Sequence, residues 1–228
     1  MTARTDRNPT LVPAWLPAPA LLGTLCLALM ILLGVLVPRT HGNRLDTAVA
    51  RAVGVVLAGH PRLTMLLGLP SDTPVIVALG LAAACWLLVR GRRELAVLTV
   101  VVPVLCVVLV DLIAKPAFGR YFQTYLSYPS GHTTALISTM TVPLLAALAA
   151  DRRVWRVLAL ACFGVLGALC MLLLVDRHYH YFTDTLGGAL FGFGTVVLLC
   201  TATTRVRALH LPDQEDADTP PAAPSAPV

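Results

Sequence analysis

Residues 157–175 read VLALACFGVLGALCMLLLV, without one charged side chain, and run straight into Asp176-Arg177-His178-Tyr179-His180. At 1.5 Å of rise per residue such a run covers roughly 28 Å, close to the ~30 Å hydrocarbon layer of a bilayer. It is a membrane span, and the polar cluster behind it marks the boundary.

Outward from this stretch, five more apolar runs stand at about 18–37, 73–90, 95–114, 133–150 and 185–203. The whole chain agrees: of 228 residues 57% are apolar and 13% charged, with mean hydropathy +0.79. That balance excludes a disordered chain, a small disulfide scaffold and an ordinary water-soluble enzyme. The predicted fold class is all-α, a polytopic membrane protein of six transmembrane helices. Segment 53–70 is also apolar, but Gly59-His60-Pro61-Arg62 breaks it where polar groups and a proline are costly. Residues 44–58 repeat Leu45, Val49, Val53 and Val56 against Arg44 and Arg51, as a helix lying on the membrane surface does. Region 40–70 is therefore read as interfacial within a membrane domain of residues 18–204.

The connections set the orientation. Arg4, Arg7, Arg90, Arg92, Arg93, Arg152, Arg153, Arg156, Arg205 and Arg207 fall on one side of the spans, which the positive-inside rule makes cytoplasmic, with both termini there. Residues 1–17 form a cytoplasmic segment. Span one is read as retained, since the Pro-rich stretch 8–19 separates Arg7 from it and Val37-Pro38-Arg39 lacks a small-residue cleavage pattern. The tail 205–228, acidic and then Pro/Ala-rich, reads as disordered. Net charge is +5, in short clusters and not along one face, so no nucleic-acid partner is implied. The six cysteines lie inside apolar runs without paired spacing or histidine neighbours, and imply neither disulfides nor zinc.

The polar residues that remain collect at the opposite, extracytoplasmic boundary. Pro129-Ser130-Gly131-His132 opens span four; a helix N-terminus carries unpaired N–H groups and partial positive charge, so Ser130 as cap and Gly131 as a close-approach residue make an anion cradle beside His132. His180 and Asp184 stand four apart before span six; on a helix the carboxylate would accept the Nδ1 proton of His180 and leave Nε2 as a nucleophile. Arg177 precedes His180 by three and adds a phosphate donor. His178 competes as nucleophile, but six positions from Asp184 put it on the wrong face. Lys115 is the chain's single lysine, with Asp111 one turn earlier as its expected ion-pair partner.

Two histidines, a carboxylate and several cationic donors in this order resemble the type-2 phosphatidic acid phosphatase superfamily, the lipid phosphate phosphatases. Its signature is Lys-x6-Arg-Pro, Pro-Ser-Gly-His and Ser-Arg-x5-His-x3-Asp. Here the middle block is complete at Pro129–His132, Lys115 meets the first, and His180 with Asp184 meets the third; the likeness spans about 73–200. Phe122-Gln123 stands where Arg-Pro belongs, and Leu173-Leu174 where Ser-Arg belongs. Arg120 and Arg177 are expected to supply phosphate contacts from shifted positions.

The resemblance implies attack of His180 on phosphorus, a phosphohistidine, and His132 protonating the leaving oxygen. The substrate it implies is a lipid phosphate or polyprenyl (di)phosphate at the outer leaflet, and neither metal nor cofactor is called for. The alternatives are a phosphotransferase that passes the group to an alcohol, and a non-catalytic family member.

Overall fold

A computed structural model describes residues 11–13, 16, 18–150 and 152–210. The chain forms α1 (Pro19–Leu36), α2 (Arg44–Leu57), α3 (Pro61–Gly68), α4 (Thr73–Val89), α5 (Arg93–Leu109), α6 (Lys115–Phe118), α7 (Gly131–Leu148), α8 (Arg153–Asp176) and α9 (Phe182–His210). A π-helical turn, Val110–Ala114, joins α5 to α6, so that Arg93–Phe118 runs as one span. A small antiparallel hairpin, β1 (Tyr121–Phe122) with β2 (Tyr125–Leu126), lies between α6 and α7. Most of the cytoplasmic segment and disordered tail expected at the two ends lies outside the described residues.

Among the described residues, five stretches are long and apolar enough to cross a membrane: α1, Arg93–Phe118, α7, α8 and Phe182–Val206. Helix α4 has 17 residues. It qualifies only together with Thr64–Ser71, from which it is bent by 59°. The molecule is thus an all-α polytopic membrane protein with five spans, or six if the bent pair is one.

Helix α7 occupies the middle, packed against α4, α5, α8 and α9. Its polarity would be costly against lipid, yet Thr133, Thr134, Ser138, Thr139 and Thr141 are all buried. Thr134, Ser138 and Thr141 donate to the carbonyls of Ser130, Thr134 and Ile137, which satisfies their hydroxyls within the helix. Beside it α9 comes close enough to need glycine. A Cβ on Gly188 would stand 2.5 Å from the carbonyl oxygen of Ser130, and one on Gly192 would stand 2.9 Å from that of Thr134. This four-residue repeat of small side chains permits backbone approach between spans. Gly188→Ala is expected to force the helices apart and cost about 1–3 kcal/mol of stability. Thermal unfolding in detergent measures it, with Gly164→Ala as control because nothing lies within 4 Å of that position; equal melting of the two variants would refute the close contact.

The region read as interfacial folds as two helices, parted within the expected break at Gly59–Arg62. Gly59, at φ +80°, breaks it into α2 and α3, a conformation glycine takes without a Cβ clash. Helix α2 opens on a reciprocal cap: Asp46 N–H donates to Asn43 Oδ1 at 2.9 Å, and Asn43 N–H donates to Asp46 Oδ2 at 3.0 Å. Leu45 and Val56 stay exposed, while the buried residue of α2 is Asp46. At the far end of the bundle Leu11 and Val12 are buried among Leu87, Leu95 and Cys200.

Candidate active site

The starts of α6, α7 and α9 and the end of α8 meet at one end of the bundle. Ser130 caps α7, its hydroxyl accepting from Thr133 N–H at 3.4 Å. Its own N–H donates to the Asp184 carbonyl at 3.0 Å, which ties the two helix starts together. Gly131 and His132 are the first residues of the helix and have no carbonyl in it to bond, so their N–H groups face the site.

His132 and His180 face each other with ring centroids 6.4 Å apart. Lys115 pairs with Asp111 at 2.7 Å. Both reach the helix start: a Cβ on Gly131 would lie 3.8 Å from Lys115 Nζ and 3.9 Å from Asp111 Oδ1. Tyr125 closes another side, its ring centroid 6.3 Å from that of His180 and its hydroxyl donating to the Tyr179 carbonyl. Burial, reinforced by Asp184 and then Tyr179, pushes that hydroxyl above its ordinary pKa, so it stays a donor through neutral pH.

The family model of the PAP2 superfamily matches residues 106–208. Over this segment the chain is similar to the PAP2 superfamily. Comparison with curated proteins and with solved structures finds no match. The PAP2 match runs from the second half of α5 to α9 and takes in Lys115, Arg120, Ser130, Gly131, His132, Arg177, His180 and Asp184. Helices α1 to α4 and most of α5 lie before it.

Within the PAP2 segment two expectations change. Arg120 does not face the space between the imidazoles. It is 1% exposed, with Nη1 2.6 Å from Thr183 Oγ1 and 2.9 Å from Asp184 Oδ1, and Nη2 2.9 Å from Asp46 Oδ2. Its guanidinium also lies 4.5 Å from the Tyr181 ring centroid. With both Nη groups turned to carboxylates and Thr183, and the side chain closed off from water, Arg120 is not open to a phosphate between the imidazoles, though its buried Nε has no partner, and the expected phosphate contact is withdrawn.

The second change concerns the His180–Asp184 pair. Helix α9 begins at Phe182, so His180 precedes it and the two do not share a helical face. Asp184 Oδ2 accepts from Tyr181 N–H at 3.1 Å, a capping bond, and stands 3.7 Å from His180 Nδ1, beyond hydrogen-bond length. His180 is 6% exposed and its Nδ1 has no partner.

Arg177 stays at the rim, half-buried, pairing with Asp72 at 2.7 Å and lying against Gly68. His178 is exposed, in a left-handed turn at φ 57°. Among the described residues, no three His, Cys, Asp or Glu side chains lie close enough to share a metal ion.

An open apolar cleft of about 380 Å³ begins at His132. Ile76, Val77 and Leu81 of α4, Val100, Val104 and Val108 of α5, and Ala135 and Thr139 of α7 line it. Val77, Leu81, Val104 and Val108 are exposed on its walls.

Proposed function

We propose that this protein is an integral membrane phosphatase acting on a lipid phosphate or polyprenyl (di)phosphate at the outer leaflet, without a metal, through a phosphohistidine. The observation that carries this reading is the imidazole pair standing at the head of an apolar cleft: a phosphoryl group fits between the rings, and a hydrocarbon chain fits the cleft below His132. The similarity of residues 106–208 to the PAP2 superfamily supports action on phosphate esters.

In this reading His180 Nε2 attacks phosphorus, forming the P–N bond as the P–O bond to the lipid breaks. His132 gives its proton to the departing oxygen, and then takes one from the water that cleaves the phosphohistidine. The N–H groups of Gly131 and His132, with Lys115, meet the charge on the phosphoryl oxygens, helped by the partial positive end of α7. Arg177 would contribute from the rim. Both termini then lie in the cytoplasm, as the arginine clusters indicate.

One observation favours a phosphotransferase as the second reading. Lys115 and Arg177 already pair with Asp111 and Asp72, so little positive charge is left uncompensated, which suits a singly charged diester whose phospho-head group passes to an alcohol better than a phosphomonoester dianion.

The test is phosphate release by the detergent-solubilised protein from phosphatidate, phosphatidylglycerol phosphate and polyprenyl diphosphate, in chelator, with and without acceptor alcohols. Release that needs no acceptor supports the hydrolase; transfer without release supports the second reading. Val104→Trp, placed on an exposed cleft wall, is expected to lower kcat/KM about tenfold for long-chain substrates, the scale of one or two lost chain contacts. Short-chain esters should be spared, and equal effects on both would speak against the cleft as the chain site.

A further inference from the structure

Arg120, the residue withdrawn from phosphate, sits in a closed ring of contacts. Asp46 reaches across from α2 to accept from Thr183 N–H at 2.8 Å and Thr183 Oγ1 at 2.9 Å, so a carboxylate from another helix caps the first turn of α9. The other oxygen of Asp46 accepts from Arg120 Nη2, while Arg120 Nη1 donates to Thr183 Oγ1 and lies 2.9 Å from Asp184 Oδ1 as an ion pair without a hydrogen bond. Asp46, Arg120, Thr183 and Asp184 are all at most 3% exposed. The ring ends on Asp184 Oδ2, which points toward the buried, unpartnered Nδ1 of His180. The remaining neighbours do not compete for that nitrogen: Tyr125 is committed to the Tyr179 carbonyl, and His132 faces the ring from the opposite helix start.

Resting on the phosphoryl-transfer reading above, we propose that Asp46 and Arg120 are positioning residues that hold the Asp184 carboxylate against His180 and so select the ring's Nδ1–H tautomer. The division of Arg120 between two acids is the working part. Shared with Asp46, the guanidinium leaves Asp184 enough negative charge to attract the imidazole N–H. Without Asp46 it turns wholly to Asp184 and draws that carboxylate away from the ring. The interfacial helix α2 therefore reaches the reaction through its single buried residue, which lies outside the segment matched by the family.

Asp46→Asn keeps the shape of the side chain and removes its charge. It is expected to lower kcat about 10- to 100-fold, the scale of a misplaced reacting group. KM should stay within about twofold, because neither residue touches substrate. Arg120→Lys, whose ammonium lacks the two-pronged fork, is expected to do the same. Independently of turnover, the ¹⁵N imidazole spectrum of the substrate-free protein, with His180 assigned by comparison with His180→Gln, should show a dominant Nδ1–H form that both variants turn into a tautomer mixture. The spectrum keeps the two ideas separable: a wild-type protein inactive on every lipid phosphate removes the proposed function, while the tautomer shift still decides the positioning role. A wild-type spectrum and kcat in Asp46→Asn overturn the proposal, as does a rise in KM alone. If Asp46→Asn does not fold, Arg120→Lys decides on the same readouts, and loss of folded protein in both variants overturns it in favour of a purely structural clamp.

Discussion

His180→Ala is expected to abolish phosphate release, by on the order of 10⁴-fold or more, the scale seen when a nucleophile that acts as part of a unit is removed. The fold should be untouched. The Nδ1 of His180 has no hydrogen-bond partner, and the capping of α9 belongs to Asp184 and Asp46, so alanine removes chemistry and leaves the helix start capped. His132→Ala should cost less, about 10²- to 10⁴-fold, because a proton donor can be replaced in part by water. Rapid quench with labelled lipid phosphate separates the two: His132→Ala still accumulates acid-labile labelled protein, and His180→Ala accumulates none. Undiminished turnover in His180→Ala would sink both readings that pass the phosphoryl group through His180.

Arg120→Met is expected to be among the most destabilising single changes in the chain, by about 3–5 kcal/mol, as for other buried ion pairs that lose one partner. The reason is the company it leaves behind. Asp46 and Asp184 are 3% and 0% exposed, and both carboxylates would face a thioether across a dry interior. Adding Asp46→Asn should recover part of the loss by removing one of the two orphaned charges. Thermal unfolding in detergent of the single and double variants measures this. A double variant less stable than Arg120→Met alone would mean that Asp46 contributes mainly through Thr183.

The spans were legible because an apolar run of about 20 residues has few alternatives to crossing a bilayer. Composition could not give the bend before α4, where backbone geometry at Ser71 and Asp72 turns the chain by 59°. The Pro129–His132 turn was legible for a similar reason: it is local, and its cap and helix start follow from four neighbouring residues. Arg120 was misread because proximity in sequence to Lys115 stood in for proximity in space. Its true partner, Asp46, lies 74 residues away, and no spacing rule links them. Asn43 and Asp46 carry a capping-box pattern that marks the start of α2, but that pattern is silent on what the outer oxygens of Asp46 would meet. The helical reading of His180 and Asp184 failed by two residues. Tyr181 and Asp184, three apart, are themselves the cap and third position of a helix beginning at Phe182, a signal present in the sequence but eclipsed by the histidine.

The cleft that starts at His132 opens sideways, through the valines of α4 and α5. In the proposed reading a molecule bound there would never leave the plane of the membrane, so turnover would follow its mole fraction among the surrounding lipids and not its amount per volume of buffer. Diluting the substrate with inert phospholipid at constant bulk concentration would then slow the enzyme, and an added amphiphile would act first as a thinner of a two-dimensional solution.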